Sequence, residues 1–155
     1  MKVVIDYTCA LTGRIRISRN VDSQRGLMDE LIPFIHARLA TTALLYFLVI
    51  SLWGYYRFFR KLGIDSTYWG MLAIAEILVL AEALFGVYLW LSGHQPARGW
   101  LHVLYGSLIP AMIPLAYMYT KGKTDRRDML IFATVTIITV GLILRAMYTA
   151  QVVLP

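Results

Sequence analysis

Four apolar runs of about 20 residues each, separated by short charged or Gly/Pro-containing connections, constrain this chain more than any other feature. They lie near Pro33 to Tyr56, Thr67 to Leu91, Gly99 to Thr120 and Met129 to Val152. As helix, each is long enough to cross a bilayer core of ~30 Å. With 59% hydrophobic and 15% charged residues among 155, the chain has too little polar surface for a soluble domain of its size. The expected fold is therefore an all-α membrane protein. Four transmembrane helices form an up-down-up-down bundle over residues 31–155, behind a polar, basic N-terminal tail of residues 1–30.

The tail, MKVVIDYTCALTGRIRISRNVDSQRGLMDE, lacks the apolar core of a secretory signal and is expected to be retained. Arg14 to Arg19 alternates at the strand period, and Thr12-Gly13 offers a turn, so a small β-hairpin is expected there. The single cysteine, Cys9, excludes an internal disulfide and a cysteine metal cluster. No Gly-rich phosphate loop, Ser-His-Asp pattern or metalloprotease helix occurs, and no catalytic residue is expected. The net charge of +6 resides in loops and tail, where lipid headgroups are a better match than nucleic acid.

The loops after the first and third spans carry Arg57, Arg60, Lys61, Lys121, Lys123, Arg126 and Arg127, whereas the middle loop holds Arg98. Cytoplasmic odd loops and external termini are the orientation expected from the positive-inside rule. The tail's own Lys2, Arg14, Arg16, Arg19 and Arg25 pull the other way. Whichever side is external, His36 at the start of the first span and His102 at the start of the third share one membrane level with Arg38. Arg145, near the end of the fourth span, reaches the same leaflet, as do Tyr105 and Tyr148. His94, in the middle loop, faces that side from outside the hydrocarbon.

Two histidines at equal depth on alternate helices are what a tetrapyrrole needs on its two faces, with both imidazoles as metal ligands. Arg38 and Arg145 would answer its carboxylates, and Trp100 and Tyr105, with Trp53 and Tyr46, would form the wall. A chlorin with a central magnesium would need only one histidine. The same two histidines can instead bond backbone or headgroups, and Arg38 can snorkel. In the second span, Glu76 and Glu82 are costly in lipid and must be neutral, paired, or turned toward a partner. Glu82 is expected to pair with Arg145, and Glu76 to meet another subunit. Pro110 and Pro114 should bend the third span, and Trp53, Tyr55, Tyr56, Tyr68, Trp69, Trp90 and Trp100 should mark the interfaces.

At His36-Ala37-Arg38 and His102-Val103-Leu104-Tyr105-Gly106, each opening a helix, the chain resembles the haem-carrying four-helix membrane bundles. These include the cytochrome b561-like proteins and one half of haem A synthase. Such bundles carry more histidines; here the second and fourth spans have none, so a second haem would lack ligands. In size, tail and lack of a catalytic motif the chain also resembles the small accessory subunits of bacterial quinol-oxidising or photosynthetic complexes, such as alternative complex III. That resemblance implies a haem or chlorin held at the edge of an electron-transfer assembly, with other membrane subunits, lipids and possible quinone as partners. Two alternatives stand beside it: a b-type cytochrome passing electrons from quinol, and a purely structural membrane subunit without cofactor.

Overall fold

The structure, a computed structural model, describes residues 15–151. Its elements are α1 (Ile15–Phe59), α2 (Ser66–Leu91), α3 (Gly99–Leu108), a 3-10 turn (Ile109–Ala111), α4 (Met112–Thr120) and α5 (Arg126–Gln151). Four stretches of helix are long and apolar enough to cross a membrane: Gly26–Phe59, Ser66–Leu91, Gly99–Thr120 and Arg126–Gln151. No strand occurs among the described residues. The chain divides into a unit ending at Phe34 and a unit beginning at Ile35, and the contacts described below lie within the second.

The hairpin expected in the tail is not what the chain forms. Its second strand falls in α1, which begins at Ile15, while its first strand lies outside the described residues. A lone two-stranded ribbon is marginal, whereas a helix satisfies its own backbone without a partner. Pro33 stands inside α1 rather than at its start. The third span is interrupted at one of its two prolines. Pro110 has no N–H to donate, and the helix breaks there into the 3-10 turn before α4 resumes.

Packing places Phe47 and Ile50 of α1, Tyr68, Leu72 and Val79 of α2, Ile109 and Ile113 of the third span, and Met129, Phe132 and Ile143 of α5 in one core. Trp69 meets Phe132 edge-on at 5.2 Å and Tyr117 at 5.7 Å. Outside this core the surface stays apolar, with Leu45, Ile77, Leu84, Leu115 and Leu144 all exposed. Water would penalise such a shell, and lipid would not. Buried hydroxyls meanwhile bond helix carbonyls: Ser51 to Ala133 at 3.1 Å and Thr136 to Phe132 at 2.9 Å. Tyr68, expected in the interfacial belt, is instead fully buried. Gly54 makes its room, since a Cβ there would lie 2.6 Å from the Tyr68 hydroxyl and 2.9 Å from Ala133 Cβ.

The connections are tied as firmly as the helices. Asp65 caps α2 by accepting from the Tyr68 N–H at 2.9 Å, and Arg57 Nη1 donates to its other oxygen at 2.8 Å. At the start of α5 the Asp128 carboxylate accepts from the Asp125 N–H at 3.1 Å, a capping box in reverse reach. The Tyr68 N–H and the Arg57 guanidinium hold the Asp65 carboxyl below the usual carboxylate range. A carboxyl that titrates lower when folded contributes its full share at neutral pH and loses it as pH falls through its folded value. Asp65→Asn keeps the cap but loses the charge. Its thermal midpoint in detergent should therefore lie below wild type near neutrality, with the gap closing in acid; a gap that persists in acid would contradict this.

Candidate functional site

His102 owes its place to how the α2–α3 connection meets the end of α5. The last carbonyls of a helix lack intrahelical donors, and here Thr149 and Ala150 accept from the N–H groups of Arg98 and Ala97 at 3.1 and 3.4 Å. One turn into α3, His102 then lies beside α5, and its Nδ1 is 2.9 Å from the Ala146 carbonyl. A carbonyl only accepts, so Nδ1 carries a proton, and in the neutral ring the lone pair is on Nε2. The Thr149 hydroxyl donates to the same oxygen at 2.9 Å from a fully buried position.

His36 comes to the same place from α1. Its ring centre is 6.3 Å from that of His102, with the planes at 74°. Against α2 the Cε1 edge of the ring packs on Gly86, where a Cβ would come within 3.2 Å, and the backbone of Glu82 borders it. His36 Nδ1 is enclosed without a hydrogen-bond partner. Four helices, α1, α2, α3 and α5, thus converge on two imidazoles, one anchored through its backbone-facing nitrogen and one with a nitrogen still to be satisfied.

The other expected members are scattered. Trp100 is 73% exposed, Arg38 is exposed, and Tyr105 is half-buried against the core. The expected Glu82–Arg145 pair does not form. The Arg145 guanidinium lies over the Tyr148 ring at 5.7 Å, and the ion pair found among the described residues is Arg57–Asp65. Leu144 and Arg145 are both exposed on the outer side of α5, whereas Ala146 beside them is buried in the bundle. Glu82 is half-buried, and Glu76 encloses one carboxylate oxygen without a partner. His94 is exposed in the α2–α3 connection.

Hydropathy and motif reading missed three contributors: the Ala146 carbonyl, the Thr149 hydroxyl that shares it, and Gly86 as the seat of His36. A backbone carbonyl leaves no mark in a sequence. Gly86 did leave one, as a small residue in the second span where helices approach closely.

Chemically, the cluster can offer two imidazole nitrogens to one metal or one donor. Among the described residues no group of three or more His, Cys, Asp and Glu side chains converges to hold a metal. A bare ion would thus find two protein ligands where three or four are usual. By fold and site this is an all-α chain with four helices able to span a membrane and a paired-imidazole centre near one end of the bundle. Comparison with protein-family models, curated proteins and solved structures finds no match.

Proposed function

We propose that this chain is an accessory integral-membrane subunit of a bacterial respiratory or photosynthetic electron-transfer complex, holding one tetrapyrrole, a haem or a chlorin, through His36 and His102. The observation that carries the reading is the approach of the two rings to 6.3 Å. A metal bonded at ~2.1 Å to one nitrogen of each of two imidazoles separates their centres by roughly 6 Å. A macrocycle would supply the ligands that the protein lacks, since four nitrogens come with it. The Ala146 contact is the outer-sphere bond that ligating histidines ordinarily make, and the enclosed His36 nitrogen is an atom that a bound metal would satisfy. Arg38 and Arg145, both exposed on this end of the bundle, would answer carboxylates at the rim.

In this reading the four spans cross the cytoplasmic membrane up-down-up-down with the termini outside, and the exposed apolar faces meet lipid and partner subunits. Glu76, with an enclosed oxygen unsatisfied, is the position most in need of a neighbouring chain. The group itself would supply light absorption or electron transfer; the protein's part is to hold it, orient it and exclude water.

The second reading, a b-type cytochrome drawing on quinol, is favoured by the same pair of rings. His36 and His102 would both hold the iron, which would supply electron transfer. Protein purified in mild detergent is expected to show a Soret band, and a redox titration separates the two readings: reversible cycling near the quinone potential marks the cytochrome. A colourless preparation that still co-purifies with large partners would leave a packing subunit.

A further inference from the structure

We infer that the end of the bundle opposite the imidazole pair is a binding site for the headgroup of an anionic phospholipid. Two connections meet there. The Ile64 N–H donates to the Thr124 carbonyl at 2.9 Å, and Arg126 Nε donates to the Phe58 carbonyl at 3.2 Å while its guanidinium covers the Phe58 ring at 4.5 Å. Gly63 lies against the Thr124 carbonyl so closely that a Cβ would collide with it. The α1–α2 and α4–α5 connections are therefore one surface of fixed shape.

Charge on this surface is one-sided. Arg57 is neutralised by Asp65 and also donates to the Gly63 carbonyl, and the Asp128 carboxylate is buried on the Asp125 N–H. Arg60, Lys61, Lys123, Arg126, Arg127 and Lys121 remain exposed, against two exposed carboxylates, Asp125 and the Arg57-paired Asp65. Six cations clustered in this way attract an anion of phosphate chemistry.

The apolar neighbours choose the source of that phosphate. Phe59 and Leu62 flank Arg60-Lys61 in sequence and are 73% and 46% exposed, and Tyr119, two residues before Lys121, is 68% exposed. A soluble phosphate or a nucleic acid would leave these side chains in water. A phospholipid covers them with its acyl and glycerol portions while the headgroup meets the cations. The site needs nothing from the imidazole pair and stands if that pair binds no pigment.

The test reconstitutes the full chain in nanodiscs of phosphatidylcholine with a minority of phosphatidylglycerol, re-extracts it in mild detergent, and counts retained lipids by native mass spectrometry. Wild type is expected to keep phosphatidylglycerol over phosphatidylcholine by roughly tenfold. The combined variant R60Q/K61Q/K123Q/R127Q should lose that preference, while Arg98→Gln at the other end keeps it. In wild type alone, the preference should weaken as salt rises, because exposed charges are screened. No preference in wild type, equal loss in Arg98→Gln, indifference to salt, or displacement of the lipid by inorganic phosphate alone would each overturn the inference.

Discussion

His102→Ala is expected to abolish the Soret band of the purified protein while leaving the bundle folded. The spectral loss should be near complete, because the substitution removes the imidazole whose lone pair is fixed on Nε2 by the Ala146 carbonyl. The stability loss should be small, about 1 kcal/mol, because Ala146 keeps the Thr149 hydroxyl as a donor and no buried acceptor is left empty. His36→Ala should retain a shifted band, since one anchored ligand remains. Thr149→Val supplies a finer readout. With the competing donor gone, the Ala146 carbonyl serves His102 alone, which makes Nε2 a stronger donor to a metal and lowers the midpoint potential of any redox-active centre. If His102→Ala lowers thermal stability with an unchanged absorption spectrum, the histidine is a packing residue and the pigment reading fails.

Gly54→Leu should be the most damaging single change to the fold, costing about 3 kcal/mol or more. A Cβ at this position already falls 2.6 Å from the Tyr68 hydroxyl and 2.9 Å from Ala133 Cβ, so α1 must move from both α2 and α5 at once. Neither neighbour can yield: Tyr68 and Ala133 are both fully buried. Gly70→Leu is the matched control, because a Cβ there meets nothing within 4 Å, and its effect should stay within about 0.5 kcal/mol. Denaturation by sodium dodecyl sulfate, followed by loss of helical signal, reads both. Equal effects at the two glycines would show that backbone approach at Gly54 does not hold the bundle.

Much of the architecture was legible because lipid-spanning helices advertise themselves through long apolar runs between charged breaks. The break in regular α-helix at Pro110 was legible too, since a missing N–H acts locally whatever the surroundings. The shared level of His36 and His102 followed from their positions at the starts of the first and third spans. What failed were inferences about which way a helix turns about its own axis. Tyr68 was expected at the interface and is in the core. Arg145 was expected to reach Glu82 and instead covers Tyr148. Each span is apolar around most of its circumference, so hydropathy carries little information about rotation, and neighbours settle it through small residues such as Gly54 and Gly86. The tail misled for a related reason: Arg-Ile alternation over Arg14 to Arg19 fits a strand as a pattern, yet without a sheet to join the helical backbone is the one that satisfies itself.

By itself, then, the sequence determined the number of helices able to span a membrane, their breaks, the clustering of cations on two connections and the placing of two histidines at one end of the bundle, because all of these depend on order along the chain and on the cost of placing charge in hydrocarbon. Tertiary structure alone decided that the two imidazoles lie 6.3 Å apart, that one is tied to the Ala146 carbonyl, and that Glu82 and Arg145 remain separate. Those outcomes depend on helix rotation and on backbone atoms common to every residue, and neither is written in the identity of a side chain.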